Sequence, residues 1–556
     1  MPVIRVAKWD LDRLVGRDLS YAEIAYLLPK LKCEIESFEH GEIEYEATHD
    51  RPDLYSVEGL ARGIKYLLGI PSKQFSFIDN RYKAYNLGVP KRPYVAFAIV
   101  RDVELDDEAV KQIMQLQEKL ATTYGRNRRK ASIGVYDLDS FSMPVFYELR
   151  DPSTTRFTPL NERNDMDLRE ILVETEKGRI YGWIISSWEK YPVIRDKHGK
   201  ILSLVPVINS DDTKVTEETR NILIDSTGTD PSIVIDMVTV MATSIAERSN
   251  NKEIYFVDAV MPSGEVIRAP RHKGRVIEVS IDNINSLLGL NLSTSNLKTL
   301  LTKLGYKSVE IRNKTIVVEA PPYRIDLKNW VDVAEDAAIA YGYELLGREA
   351  NELPPATHPG RLHPIEYLSK MFRKLLVGYG YIEVANYMMS NPDTQFRLFN
   401  IQGNMIKVSN PKMEKYTGLR VWLTPGLLEV IKKNSGKEHY IRIFEVGDVV
   451  IPNPSSETGA RTERKLGIAI SHGKATLTDG LALVVALFEL IGLKPSFRRK
   501  AIEGLLPERS AEIVVIGKNV GFLGEVHPQV LRRLKIDNPV VVIEVSLNSL
   551  LDLITL

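Results

Sequence analysis

Apolar residues near the start of the chain recur with the period of a helix. Asp53 or Ser56 supplies a capping side chain, and apolar positions three and four residues apart follow as far as Gly69. A cap before such a run and a glycine after it are typical of the two ends of a helix. The pattern predicts a helix over residues 57–68, within a first α+β module that we place at residues 1–89.

Beyond this module, apolar runs of strand length alternate with helical patterns. Residues 94–100 and 132–136 are strand candidates with a helical pattern between them, and residues 179–185 are predicted as a further strand. Alternation of this kind favours a layered α/β or α+β domain. We place this second domain at residues 90–265.

Two further domains follow. Residues 266–350 combine helical and strand patterns in a small α+β unit. The stretch from Asn351 to Gly360 is polar and rich in proline, which is typical of a linker. The last domain, at residues 351–556, contains a helix that opens at Pro364, a long helix candidate that begins at Asp479, and several strands.

Composition fits a soluble multidomain protein. The chain has 556 residues, which at roughly 150 residues per domain corresponds to about three to four domains. Hydrophobic residues make up 44% and charged residues 26%, so disordered, collagen-like and coiled-coil proteins are excluded. Lys plus Arg and Asp plus Glu are both 73, and the net charge is zero. Any contact with a nucleic acid must therefore come from local basic patches.

The cysteine content and the apolar runs indicate the compartment. Cys33 is the only cysteine, which excludes an internal disulfide and a CxxC metal site and fits a reducing environment. The first residues contain no apolar run of signal-peptide length, and the densest run, Leu481 to Phe488, is too short to span a membrane. We therefore expect a cytoplasmic protein that makes no use of a membrane.

Four acidic residues lie close together in the third domain. Asp332, Glu335 and Asp336 are spaced i, i+3 and i+4, so on a helix they share one face, and Asp326 precedes them. Like charges on one face repel, and a hard divalent cation such as Mg²⁺ would relieve the repulsion through oxygen ligands. The alternative is an N-cap and an acidic first turn that interact with the helix dipole, and spacing alone favours this alternative.

A basic cluster follows the first helical pattern of the second domain. It consists of Arg126, Arg128, Arg129 and Lys130. Such side chains bind phosphates in nucleic-acid complexes. They are also common as solvated surface residues or as cations at a helix end, and the residues alone favour that alternative.

Polar residues stand at the ends of two apolar runs in the second domain. Asn209 follows one run, and Asp225 and Thr227 follow the other. Pockets are often built where strands end, and these side chains are able to orient a water or a small polar ligand. Turn formation explains the same residue types and is favoured on the residues alone.

Three common catalytic motifs are missing from the sequence. It contains no GxxxxGKS or GxxxxGKT phosphate loop, no HExxH metal motif and no GxSxG nucleophile elbow. Conventional nucleotide-binding and hydrolase motifs therefore do not account for this chain.

Seven stretches carry a resemblance to a known family. They are His49 to Arg62, Ile133 to Asp137, Asn209 to Asp230, Pro322 to Asp326, Glu335 to Tyr343, Arg442 to Asp448 and Gly524 to Pro528. In this order, and through essentially the whole chain, they resemble the beta-subunit family of phenylalanyl-tRNA synthetase, of the archaeal and eukaryotic type.

The resemblance implies a class II aminoacyl-tRNA synthetase of two alpha and two beta chains. In this family the alpha subunit activates phenylalanine with ATP and charges tRNA(Phe), so ATP is a substrate of the holoenzyme, and the alpha subunit and tRNA(Phe) are the expected partners. Residues 351–556 resemble a non-catalytic class II synthetase domain with an antiparallel sheet. Arg442 and Glu445 match the second class II motif, but Gly521 to Val526 lacks the arginine of the third. We therefore expect no aminoacylation by this chain alone.

The resemblance also bears on the two charged clusters. It implies a Mg²⁺ site that is shared with the alpha subunit. Its ligands would be Asp326, Asp332, Glu335 and Asp336. It makes tRNA contacts at the basic cluster as plausible as a solvated surface, and it implies a nucleic-acid-binding-like fold for the small α+β domain.

The second domain resembles the editing domain of the family, which hydrolyses tyrosine wrongly attached to tRNA(Phe). An apolar pocket rejects an added hydroxyl only weakly, so a separate site that hydrogen-bonds the hydroxyl is needed. By this resemblance Asp225 accepts the hydrogen bond from the tyrosine hydroxyl. The candidate pocket residues are Leu202, Pro206, Asn209, Asp225 and Thr227.

Two positions depart from the family pattern. Asp225 stands where glutamate is expected, and Val205 stands where proline is usual. The shorter acid moves the acceptor by about one methylene. The alternative function is therefore a purely structural and tRNA-binding subunit with an inactive editing site.

Overall fold

The chain folds into two compact units, Met1–Leu353 and Pro354–Leu556. The computed structural model describes residues 1–312, 315–348, 360–435 and 440–554. Both units combine helices with mixed or antiparallel sheets, which confirms a multidomain α+β protein. No described helix has the length and apolar character that are needed to cross a membrane.

The first unit contains three modules. Its helices are α1 (Lys8–Val15), α2 (Tyr21–Leu27), α3 (Val57–Leu68), α4 (Asp107–Thr122), α5 (Leu168–Glu174), α6 (Glu176–Tyr181), α7 (Pro231–Ile245), α8 (Ile281–Leu288), α9 (Thr294–Thr302) and α10 (Trp330–Tyr341). Its strands are β1 (Val3–Ala7), β2 (Cys33–Glu39), β3 (Glu42–Ala47), β4 (Ser76–Asn86), β5 (Tyr94–Val100), β6 (Ala131–Asp137), β7 (Val145–Arg150), β8 (Arg156–Phe157), β9 (Met166–Asp167), β10 (Tyr191–Arg195), β11 (Ile201–Leu204), β12 (Ile208–Asn209), β13 (Ile222–Gly228), β14 (Glu253–Val260), β15 (Val266–Ala269), β16 (Val276–Ser280), β17 (Lys307–Arg312) and β18 (Thr315–Glu319).

The largest sheet curls so that its two outer strands approach each other. Its order is β12, β11, β10, β7, β4, β14, β5, β13 and β6, with β15 paired to β14. Strand β4 pairs in parallel with β14 and β7, and the other pairs are antiparallel. The side-chain amide of Asn209 on β12 donates to the backbone carbonyl of Val135 on β6 at 3.2 Å. The two ends of the sheet therefore enclose a space between them.

Strand β13 lies deep inside this sheet. All seven of its residues are buried, and helix α7, whose N-terminus is capped by the Asp230 side chain, packs against it. Strands that are covered on both faces carry continuous apolar runs, so the carboxyl group of Asp225 within β13 is an exception. A buried polar group of this kind needs a hydrogen-bond partner.

A buried ion network joins the first module to the large sheet. The Arg248 guanidinium donates to the two carboxylate oxygens of Asp10 at 2.7 and 2.6 Å and to Glu58 at 2.7 Å. All three side chains are buried. The sheet β1–β3–β2 and helix α3 also share one hydrophobic core with the large sheet.

The third module is a small α+β layer. The antiparallel sheet β16–β18–β17 is covered by helices α8, α9 and α10 around a separate apolar core. Helix α10 begins after Asn329, whose side chain accepts from the Val331 amide and forms a capping box with Asp332. The acidic residues thus lie at the start of α10, as their spacing indicates.

The second unit is built on a seven-stranded sheet. Its helices are α11 (Pro364–Gly378), α12 (Pro392–Gln395), α13 (Thr424–Asn434), α14 (Leu477–Leu490), α15 (Pro528–Leu534) and α16 (Leu547–Leu551). Its strands are β19 (Ile382–Glu383), β20 (Met389–Ser390), β21 (Gly418–Leu419), β22 (Ile441–Pro452), β23 (Ala460–Ser471), β24 (Pro495–Arg499), β25 (Leu505–Val515), β26 (Lys518–Val526) and β27 (Val540–Ser546). The sheet order is β19–β22–β23–β27–β26–β25–β24, antiparallel except for the parallel pair β19–β22.

Most of the predicted elements named above are confirmed, and one is wrong. Helix 57–68 and strand 94–100 are present with the predicted bounds. The strand predicted at 179–185 is instead the end of α6 and a single 3-10 turn, because the Thr175 hydroxyl caps the Gly178 amide and starts a helix. The predicted linker lies outside the described residues, apart from Gly360.

Candidate functional site

A cavity of about 550 Å³ lies between the two ends of the large sheet. Its walls come from α4, from β6 and β13 at one end of the sheet, and from β11, β12 and the loop between them at the other. Cavities of this volume hold small ligands. Of the predicted pocket residues, Pro206, Asn209 and Asp225 line the cavity.

Asp225 is the buried acid of this cavity, which Glu118 also lines, and one oxygen of Asp225 is held by the protein itself. The Tyr136 hydroxyl donates to Oδ1 of Asp225 at 2.6 Å, and the Ser203 hydroxyl lies 2.9 Å from the same phenolic oxygen. Gly134 pairs with Asp225 across β6 and β13. A Cβ at Gly134 would lie 2.4 Å from both Oδ1 and the phenolic oxygen, so only glycine leaves room for this bond.

Burial changes the protonation of Asp225. Burial raises the pKa of Asp225 to about 7, against the opposing effects of the Tyr136 hydrogen bond and the nearby Arg92 charge. The carboxyl group is therefore ionised in part at neutral pH. Among the described residues, Tyr136 is the only hydrogen-bond partner of Asp225, so Oδ2 is left without one.

Two predicted pocket residues do not line the cavity. Leu202 is fully buried in the hydrophobic core, and its neighbour Ser203 lines the cavity instead. Thr227 is on the same face of β13 as Asp225, because side chains two apart on a strand share a face. However, the Arg92 guanidinium covers it and donates to its hydroxyl at 3.0 Å and to its carbonyl at 2.7 Å. The prediction for these two residues is corrected accordingly.

The basic cluster divides between the inside and the surface. Arg128 is buried, and its guanidinium donates to the carbonyls of Pro206 at 3.1 Å and Val207 at 2.8 Å and to Glu118 at 2.8 Å. It therefore supports the loop that forms one wall of the cavity, and its burial and its three protein partners argue against the predicted RNA contact at Arg128. Arg126 and Arg129 are exposed, and Lys130 is partly exposed.

An unusual turn places Arg128 inward. Arg126, Asn127 and Arg128 have φ values of 52°, 53° and 63°, a left-handed conformation that non-glycine residues seldom adopt. Backbone bonds from Asn127 to Thr122 and from Arg128 to Ala121 hold the turn. Such strained backbone persists where the surroundings determine it.

The four acids of the third module are each bound by the protein. Asp326 and Asp336 both accept from the Arg324 guanidinium, at 2.7 and 3.1 Å, and Asp336 also accepts from the Tyr306 hydroxyl at 2.6 Å. Burial alone would raise the pKa of Asp336, but the Arg324 charge holds it below its usual value.

The remaining two acids point to different partners. Asp332 accepts from the backbone amides of Lys328 and Asn329 at 2.7 and 2.9 Å, and Glu335 pairs with Lys32 at 2.6 Å. Within the described ranges, no group of three or more acidic, histidine or cysteine side chains is arranged to hold a metal ion. The four acids therefore do not fit a shared Mg²⁺ ion, and the use of magnesium stays a prediction.

The second unit has a cavity of its own, of about 630 Å³. Its two lysines are paired with glutamates, while Glu503, which also lines it, is exposed. Lys465 binds Glu544 at 3.0 Å, and Lys500 binds Glu512 at 2.5 Å. Among the described residues, no arginine lines it, and Arg442 instead lies over the ring of Tyr440.

Some residues of the first cavity could not be found from the sequence motifs. Tyr136, Ser203 and Arg128 come from separate parts of the chain and meet only through the curl of the sheet. The one available signal was Tyr136 within the stretch Ile133 to Asp137, which carries the family resemblance.

Family models match three regions of the chain. The B3/4 domain model matches residues 109–253 and therefore most of the module that carries the first cavity. The tRNA synthetase B5 domain model matches residues 277–343, and the phenylalanyl tRNA synthetase beta chain CLM domain model matches residues 351–547.

Relatives match the chain along nearly its whole length. The phenylalanine–tRNA ligase beta subunit of Thermofilum pendens is 38% identical over 551 residues, which cover 98% of this chain and 97% of that protein. The corresponding protein of Pyrococcus horikoshii is 36% identical over 567 residues, with 99% and 100% covered. The crystal structure of an N-terminal fragment of the Pyrococcus horikoshii phenylalanyl-tRNA synthetase beta subunit has a TM-score of 0.58 at 37% identity and covers 62% of this chain and 100% of the fragment. This chain belongs to the phenylalanine–tRNA ligase beta-subunit family.

Proposed function

We propose that this chain removes tyrosine from mischarged Tyr-tRNA(Phe) and supports the charging of tRNA(Phe) by an alpha subunit. The observation that carries the first part is the free Oδ2 of Asp225 in a cavity of about 550 Å³. Tyrosine and phenylalanine differ by one hydroxyl. A site that hydrogen-bonds this hydroxyl separates the two far better than an apolar pocket does.

The cavity chemistry supports hydrolysis by water. Its described lining includes Ser132 and Ser203 but no histidine or cysteine, so neither serine has the adjacent base that an activated nucleophile needs. Asn209 and the backbone around Pro206 supply polar atoms near the cavity wall. In this proposal water attacks the ester carbonyl, the bond to the tRNA ribose oxygen breaks, and tyrosine and tRNA are released.

Exposed cations are available for the tRNA. Arg126 and Arg129 lie on the surface beside the turn that leads to the cavity wall, and Lys177 lines the cavity and pairs with Glu118. Arginine and lysine contacts to phosphates position a nucleic acid without reading its sequence. We assign the predicted tRNA contacts to Arg126, Arg129 and Lys130.

The second unit offers a surface for the alpha subunit. Exposed apolar side chains are concentrated in residues 377–389, where Val377, Ile382 and Tyr387 are 59%, 68% and 78% exposed. They lie at the end of α11, on the outer strand β19 and just beyond it. Contiguous apolar side chains of this kind mark protein interfaces. Since the relatives are beta subunits of a ligase, the alpha subunit is the partner that we propose for this surface.

ATP chemistry belongs to the alpha subunit in this proposal. The cavity of the second unit has two lysines, and both are paired with glutamates. It therefore has no free cation for a transferring phosphate. ATP, and the magnesium that accompanies it, would be bound by the alpha subunit and not by the four acids of the third module.

The decisive experiment is the release of tyrosine from preformed Tyr-tRNA(Phe) by the full chain, with and without the alpha subunit. We expect release by the wild type and a loss of about a hundredfold in kcat/KM for Asp225→Ala, since the acceptor for the hydroxyl is gone. If no tyrosine is released even with the alpha subunit, the structural and tRNA-binding alternative is correct.

A further inference from the structure

The cavity already contains one phenol, and it belongs to the protein. Tyr136 projects from β6, is fully buried, and donates to Oδ1 of Asp225 at 2.6 Å. Because a phenol has one hydrogen and Tyr136 gives it to Asp225, the Ser203 hydroxyl donates to the phenolic oxygen in turn. The three side chains form a chain from β11 to β13 across the cavity wall.

This chain fixes the orientation of the carboxyl group. The last torsion of an aspartate is broad, so without a partner its two oxygens sample many directions. A short bond at one oxygen also determines where the other points. Gly134 makes room for this bond, because a Cβ at that position would lie 2.4 Å from both Oδ1 of Asp225 and the phenolic oxygen of Tyr136.

Resting on the proposed function, we infer that Tyr136 is a specificity-positioning residue. By holding Oδ1 of Asp225, it presents Oδ2 to the phenolic hydroxyl of a tyrosyl group in the cavity. Tyr136 acts through Asp225 and takes no part in the hydrolytic step. The carboxyl group of Asp225, which is one methylene shorter than the expected glutamate, is thus held in one direction by Tyr136.

The test measures hydrolysis of Tyr-tRNA(Phe) and of Phe-tRNA(Phe) by variants of the full chain bound to its alpha subunit. Tyr136→Phe removes the hydroxyl and keeps the ring. Tyr147→Phe is the matched control, because Tyr147 is a fully buried phenol of the same sheet that donates to the Arg92 carbonyl at 3.1 Å and does not line the cavity. The readout is kcat/KM for Tyr-tRNA(Phe) divided by kcat/KM for Phe-tRNA(Phe).

We expect the ratio to fall by about tenfold or more in Tyr136→Phe, since a charge-assisted bond to the substrate hydroxyl is misaligned. Ser203→Ala should change the ratio in the same direction by a smaller factor. The Tyr147→Phe ratio should equal that of the wild type. Thermal unfolding of each variant identifies any that fails to fold.

Two other results would refute the inference alone, and a third would refute the proposed function as well. A merely structural Tyr136 would lower hydrolysis of both tRNAs equally and leave the ratio unchanged, which would refute the inference while the proposed function stands. An equal fall of the ratio in Tyr147→Phe would show a general effect of the sheet and would also refute it. If the wild type releases no tyrosine, the proposed function fails and the inference fails with it.

Discussion

The two cavities have similar volumes and both contain ion pairs, but they differ in one buried carboxyl group. The cavity in the first unit, about 550 Å³, contains one acid with a free oxygen. The cavity in the second unit, about 630 Å³, contains two lysines that are each bound by a glutamate, and the exposed Glu503, which has no ion pair among the described residues. Glu544 is the most extensively bound of these glutamates, since it also accepts from the Leu423 and Thr424 amides and from the Thr424 hydroxyl.

The difference shows that volume alone does not indicate a binding function. Asp225 lines the cavity and its Oδ2 has no protein partner among the described residues, so a ligand hydroxyl gains a charge-assisted hydrogen bond there without displacing a protein group. A fully satisfied set of charges offers a ligand no such gain and must first be broken. By this criterion the first cavity is suited to binding a hydroxyl donor, and the ion pairs of the second cavity stabilise the fold.

The largest expected effect is the pH dependence of selectivity. Burial raises the pKa of Asp225 to about 7, so above pH 7 the ionised carboxylate accepts a strong hydrogen bond from a tyrosine hydroxyl, and below it the neutral form accepts only a weaker one. At pH 5 about one per cent stays ionised, and the preference for Tyr-tRNA(Phe) over Phe-tRNA(Phe) should be lower by up to about a hundredfold. Kinetics between pH 5 and 8 measure this. A preference that is independent of pH would contradict a role for this carboxylate.

The same group makes stability depend on pH in a definite direction. The pKa of Asp225 is raised in the folded state, from 3.8 to about 7. Its contribution to folding is therefore complete below pH 3.8 and is lost as the pH rises through 7, by up to about 4 kcal/mol. The unfolding temperature of Asp225→Asn, measured relative to that of the wild type, should be higher at pH 8 than at pH 4, because asparagine has no charge to bury. Calorimetry at the two pH values checks the sign.

A pair of substitutions to methionine contrasts the cations of the two cavities. Arg128→Met removes the support of the loop at Pro206 and Val207 and should lower hydrolysis of both charged tRNAs by about tenfold. Lys465→Met leaves Glu544 without its cation and should lower the unfolding temperature of the second unit while hydrolysis is unchanged. If Lys465→Met impairs hydrolysis as strongly, the contrast between the cavities is wrong.

The smallest expected effect is that of a chelator. Since Asp326 and Asp336 are paired with Arg324 and Glu335 with Lys32, EDTA should shift the unfolding temperature of the isolated chain by less than about 1 °C. Arg324→Met is the positive control, because breaking a buried pair costs about 3–5 kcal/mol. A large shift with EDTA, reversed by Mg²⁺, would restore the predicted metal site.

Sequence patterns identified those features whose causes are local. The bounds of α3 are set by apolar residues three and four positions apart and by Gly69, whose left-handed conformation ends the helix, and such signals are visible in one sequence. Asp225 and Pro206 were identified as pocket residues through the family resemblance. Leu202 and Thr227 were misplaced because burial and the cover of Arg92 depend on distant strands.

The acidic residues of the third module show the same limit of local sequence patterns. Their spacing on α10 was correctly predicted, but Glu335 pairs with a lysine 303 positions earlier. Nothing in the local sequence indicates that partner. The burial of Arg128 was not predicted for a similar reason, because a left-handed turn of three non-glycine residues directs it inward.

The Arg248 network has a consequence for synthesis on the ribosome. Asp10 and Glu58 are buried against a guanidinium that lies 238 and 190 residues further along the chain. The amino-terminal segment therefore leaves the ribosome before the cation of Glu58 exists, and Asp10 then has only Arg13 as its partner. At about 5–20 residues per second, Arg248 follows some ten seconds or more after them. During that interval the nascent segment cannot complete its native core, and a fragment that ends before α7 would keep this defect permanently.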